Sequence, residues 1–183
     1  MKNYKFDICN EKPEDVVSRV GRDFMESTRS YVLLVFQEYS GPIFTTYDDT
    51  FFDGFKVVIS GKKDIQDQLG AVSGDEKRKF ELYLTSKVME NLKWRIMFLR
   101  FGYAMYPLTA VVEERVANQV KKKLKLNEFG KSYVFQLNSS EDFEAFLQAV
   151  FSCDVLTSFV QSVITESKRR EKEADEKLSA EVH

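Results

Sequence analysis

A single histidine, His183, stands among 183 residues, and the two cysteines, Cys9 and Cys153, lie far apart. Scarcity of histidine removes the side chain that most often moves protons near neutral pH, and with it most zinc sites. The cysteines form neither a C-x-x-C pair nor a disulfide framework. Cys153, in Ala149-Val150-Phe151-Ser152-Cys153, reads as a small buried hydrophobe. Eight glycines and three prolines leave few turn formers, so the chain must run in long regular elements. Neither sign of charge prevails: 27 basic against 29 acidic side chains leave −2, with no bulk attraction to nucleic acid or an anionic membrane. The most lipid-like stretch, Ile96 to Val112, is broken by Arg100 and Pro107, so no membrane span is expected. Met1-Lys2-Asn3-Tyr4-Lys5-Phe6-Asp7 lacks the apolar run of a secretory signal, and a reduced, cytoplasmic protein is expected.

What the chain does have is rings and charges: sixteen Phe, eight Tyr and one Trp, with 31% charged residues. Tyr4, Phe6 and Ile8 alternate with polar neighbours as in a short strand. Pro13 with Glu14 and Asp15 suits a helix start, and Val16, Val17, Val20, Phe24 and Met25 form its stripe to about Ser27. Tyr31 to Phe36 reads as a buried strand closed by Ser40-Gly41-Pro42. Residues 43–60 predict a hairpin turning at Asp53-Gly54, with Ser60-Gly61-Lys62-Lys63 ending it.

From Asp75 to Tyr106 the spacing of Phe80, Tyr83, Leu84, Val88, Leu92, Ile96 and Leu99 predicts the strongest helix, about 45 Å long. A second helix is expected after Pro107 through Val112, Val116, Val120 and Leu124, with lysines at its C-terminal end. Tyr133 to Leu137 follows as a strand, then Ser139 as helix cap with Asp142 answering it. One final helix is expected from Phe143 to Ile164. Beyond Glu166 its apolar stripe vanishes, leaving Glu166/Arg170 and Glu173/Lys177 pairs.

These elements predict an α+β fold, a small antiparallel sheet packed on two or three long helices with a charged C-terminal helical extension. The alternative is an all-α fold, if residues 31–36 extend the first helix. Residues 1–165 are expected as one globular domain and 166–183 as a charged, solvated tail.

Several motif matches fail on inspection. Val57 to Lys62 lacks the glycine spacing and the Ser or Thr of a phosphate loop. Ser60-Gly61-Lys62-Lys63 matches S-x-x-K without its S-D-N and K-T-G companions. Asn138-Ser139-Ser140 is a formal glycosylation acceptor but reads better as the helix cap.

Three function classes remain. Adjacent rings of a strand point to opposite faces, so Phe51, Phe52 and Phe55 around Asp53-Gly54 offer at least one exposed aromatic anchor for a protein partner. The first expectation is therefore a non-catalytic protein-interaction module (an inhibitor, adaptor or assembly subunit) without catalytic residue, metal or cofactor. Its broad-faced C-terminal helix is a candidate homodimer seal. The second is an Mg²⁺-dependent enzyme on phosphoesters or nucleotides, using Asp48, Asp49 and Asp53 with Asp64 and Asp67 nearby. Those aspartates otherwise serve as turn residues. The third is nucleic-acid binding through Lys121 to Lys125, or through Lys93 and Arg100 on one helical face with Tyr103, Arg95 pointing away. Net acidity disfavours it.

Overall fold

The computed structural model describes residues 11–51, 57–65, 69, 78–125 and 133–181, with the backbone alone described at 47–51, 57–60 and 178–181. The expected first strand and Cys9 lie outside them. Helix α1 spans Pro13–Ser27, followed by strand β1 at Leu33–Glu38. β2 (Phe44–Phe51) and β3 (Val57–Asp64) form a separate antiparallel pair. Then come β4 (Arg78–Thr85), β5 (Trp94–Phe101), β6 (Leu108–Val112), α2 (Glu114–Leu124), β7 (Val134–Leu137), α3 (Ser140–Phe151) and α4 (Asp154–Glu181). The main sheet has the order β1-β4-β5-β6-β7, antiparallel throughout. The fold is α+β, and residues 33–38 are strand rather than an extension of α1.

The expected helix over 75–106 is overturned: its described part is the β4–β5 hairpin. Phe80 and Leu84 are four apart, a spacing that fits both helical and strand periods. Leu82 decides between them. It is fully buried on the same face, while Glu81 and Tyr83 alternate to the other. The loop from Ser86 to Lys93 contains no Gly or Pro, and so carries no breaker signal. The second helix likewise starts later than expected, at Glu114, because Leu108–Val112 is a wholly buried strand. Ser60 to Lys63 do not end the hairpin; β3 continues through them to Asp64.

One face of the main sheet meets helices. Gly21 of α1 admits Leu34 of β1, whose Cδ2 lies 2.6 Å from where a Cβ would stand. Phe135 of β7 packs on Phe146 of α3, and Trp94 of β5 stacks on Phe159 of α4 at 4.2 Å. Phe36, Phe80 and Phe101 stack across three strands on this face, at 4.9 and 4.7 Å. Cys153 is buried within the same core, where burial pushes its thiol up.

The expected single final helix is two helices, bent by 57° at Ser152-Cys153. No Gly or Pro marks the break; α2 supplies it. Lys123 Nζ donates to the Ser152 carbonyl (2.6 Å) at the C-terminal end of α3. Gln119 Oε1 accepts from the Asp154 amide (2.7 Å) at the start of α4. The predicted cap of α3 is present: Ser139 Oγ accepts from Asp142 N, and Asp142 Oδ2 accepts from Asn138 N. Helix α4, 28 residues and about 42 Å long, stays docked past its apolar stripe, through Ser86···Ser167 and Tyr31 OH to Glu171. Residues 168–177 are exposed. Arg170 pairs with Glu166 as expected, while Glu173 pairs with Arg169. No single described helix is long and apolar enough to cross a membrane.

Leu82→Ala is expected to lower unfolding free energy by about 3 kcal/mol, as for a fully buried leucine, and Ser139→Ala by about 1 kcal/mol through the lost cap. Urea titration measures both. A Leu82 loss below that of the exposed cap would contradict the strand register.

Candidate functional site: the polar face of the main sheet

The second face of the main sheet carries Gln37 of β1 with Tyr39 just beyond its end, Glu81 and Tyr83 of β4, and Arg95 and Phe98 of β5. A bulge makes this set unusual. Between the Leu82–Met97 and Tyr83–Arg95 pairs β5 holds one extra residue, Ile96. Residues three apart in a regular strand point to opposite faces; the insertion puts Arg95 and Phe98 on the same one.

Glu81 sits at the centre with 1% of its surface exposed. Its Oε1 accepts from Lys93 Nζ (2.5 Å) and Gln37 Nε2 (2.6 Å), and its Oε2 from Arg95 Nε (2.8 Å). Tyr83 OH donates to Gln37 Oε1 (3.3 Å), and Lys93 also lies 4.3 Å over the Tyr83 ring. Burial by itself would raise the Glu81 carboxyl; hydrogen bonds from Lys93, Arg95 and Gln37 outweigh it and hold the group below its ordinary value.

Arg95 is held on its other side by rings. Its guanidinium lies 4.5 Å over Phe98, 5.0 Å over Phe44 and 5.2 Å over Tyr39. Phe44 belongs to the root of the β2–β3 hairpin, which crosses this face. Thr45 Oγ1 anchors it by donating to the Val112 carbonyl (2.9 Å). A cavity of about 30 Å³ remains between Phe44, Arg95, Phe98 and Val112, room for a water and no larger ligand. Away from the hairpin, Gln37 and parts of Tyr39, Tyr83 and Lys93 stay exposed.

The residues singled out from the sequence are distributed differently. Phe51 closes β2, opposite Val57; Phe52, Asp53 and Phe55 lie outside the described residues. Asp48 and Asp49 are adjacent positions of β2, opposite Ser60 and Ile59, and Asp64 pairs with Phe44 at the hairpin's other end. Asp67 is also outside the described residues. No group of three or more His, Cys, Asp or Glu residues placed to hold a metal occurs among the described residues. The expected helical face of Lys93 and Arg100 is replaced by strand geometry. Lys93 and Arg95 converge on Glu81, and Arg100 turns inward to the Leu69 carbonyl (3.0 Å). Tyr103, 76% exposed, sits in the β5–β6 connection. Glu81, Gln37, Tyr39 and Tyr83 were missed. The alternation Phe80-Glu81-Leu82-Tyr83-Leu84, once read as strand, is the signal that exposes them.

None of the family models, curated proteins or solved structures compared with the chain matches it.

Glu81→Gln leaves two cations facing an amide and is expected to cost about 2 kcal/mol, the scale of charged hydrogen bonds. A carboxyl held low when folded stabilises the protein above its unfolded value, here 4.5, and that contribution disappears as pH falls through the folded value. Urea titrations in acid should therefore show wild-type stability declining below pH 4.5, more steeply than that of Glu81→Gln. Parallel acid limbs would show that Glu81 titrates alike in both states.

Proposed function

We propose that this chain is a non-catalytic protein-interaction module, an inhibitor, adaptor or assembly subunit. It presents the open part of the main sheet's polar face, and Phe51, Phe52 and Phe55 are the further aromatic anchors that the sequence offers. The observation that carries this reading is the threefold hold on Glu81. A general base works best with a value near the operating pH and a free lone pair directed at substrate. Glu81 is held low, and its two oxygens are occupied by Lys93, Gln37 and Arg95. Its chemistry is spent on posture.

That posture suits recognition. Arg95 is clamped between a carboxylate and three rings, and Lys93 is fixed over Tyr83, so little side-chain freedom remains to lose on binding. Tyrosine and arginine are also the side chains that most often carry binding energy at protein interfaces. The expected partner is a protein.

The full chain, immobilised, is expected to retain a partner from cell extract. Tyr83→Ala and the pair Phe51→Ser with Phe52→Ser should each lower retention at least tenfold while circular dichroism shows the fold retained. Retention indifferent to both variants would overturn the assignment of this surface.

A further inference from the structure

The helical layer carries a second surface, independent of the sheet face. Helices α1 and α3 run parallel, since Arg19 reaches Glu144 (2.8 Å) and Phe24 stacks on Phe151 (4.7 Å) further along both. Between them lies an open groove of about 280 Å³. Its floor is Val20 with the half-exposed Phe24 and Phe151 rings, and its rims carry Asp23, Glu144 and Gln148. Sites for drug-sized molecules begin at about 300 Å³ and enclose most of the ligand. This open groove is suited to one or two apolar side chains delivered by a polypeptide.

Charge identifies the polypeptide. Helices α1 and α3 carry seven carboxylates against two guanidiniums, Arg19 and Arg22. Arg19 is already committed to Glu11 and to both oxygens of Glu144, which leaves Asp23 as the rim carboxylate to meet a partner's cation. At the N-terminal end of the pair, the Tyr106 phenol is pushed up to about 12, by burial first and then by Glu11, Glu141 and Glu14, which records the negative surroundings. Lys123, at the opposite end, is bonded to Ser152.

We infer that the α1–α3 groove is a docking site for a basic amphipathic helix of a partner protein, which seats an apolar side chain on Phe24 and Phe151 and sets a Lys or Arg residue against Asp23 on the rim, within the net negative field of the two helices. Helix-in-groove recognition has this form: apolar anchors at helical spacing on one face and flanking charges that set orientation and specificity.

The test uses the full chain and a fluorescent helical peptide of Leu and Lys, with a Leu and Glu peptide of the same pattern as control. The Leu/Lys peptide is expected to bind at physiological salt at least tenfold more tightly than its control. Asp23→Lys should weaken it about tenfold, whereas Glu176→Lys, on the exposed end of α4, should not. A photo-reactive residue at position 148 should cross-link the peptide. Phe24→Ala also removes the packing of Phe24 on Phe151, so the exposed Asp23 variant decides the matter. Equal losses from Asp23→Lys and Glu176→Lys would reduce the effect to bulk charge and overturn the site. So would absence of binding, or cross-linking at position 148 only to a second copy of the chain. Tyr83→Ala should leave peptide binding unchanged, so failure of the sheet surface and failure of the groove are read separately.

Discussion

A carboxylate withdrawn from water must be compensated where it stands, and Glu81 imposes that requirement on the middle of the main sheet. Its compensation comes from β1 through Gln37, and from β5 and the loop before it through Arg95 and Lys93. Three strands must therefore hold a common register for these hydrogen bonds to form. The β5 bulge follows from the same arrangement, because only the inserted Ile96 lets Arg95 face Glu81 while Phe98 stays on that side. The rings of Tyr39 and Phe44 then have a fixed cation to cover, and the hairpin root gains its seat.

The helical side is organised by a different device. Helix α2 holds both ends of the α3–α4 break, Lys123 on one carboxyl end and Gln119 on the next amino end. The bend lets Phe146 reach β7 while Phe159 reaches Trp94 of β5, so one continuous stretch of sequence covers much of the sheet. It also leaves α1 beside α3 with Phe24 and Phe151 only half covered. Both candidate surfaces thus combine rings with fixed charges, positive and neutralised on the sheet, negative on the helices.

Legibility in the sequence followed how local each signal was. Helix α1 begins at Pro13 and ends at Ser27 as its stripe and first-turn acids indicate, and the Ser139–Asp142 cap needs only four residues to declare itself. β1, β7 and the β2–β3 pairing follow from short apolar runs. The stretch around β4 and β5 misled because spacings of four satisfy two periods at once and its loop lacks Gly and Pro. Misreading it hid the site as well, since Glu81 and Arg95 belong to one face only in strand geometry.

By itself the sequence determined the class of fold, the amphipathic helices with their caps, and the low content of histidine and cysteine that narrows the chemistry. These depend on neighbours within about one helical turn. The tertiary structure alone decided that residues 78–101 pair as strands, that α3 and α4 part at Cys153, and that a lone glutamate gathers a lysine, an arginine and a glutamine. Each of those depends on a partner distant in the chain: Trp94 on Phe159, Ser152 on Lys123, Glu81 on Gln37. Periodicity carries no information about which distant residue will meet which.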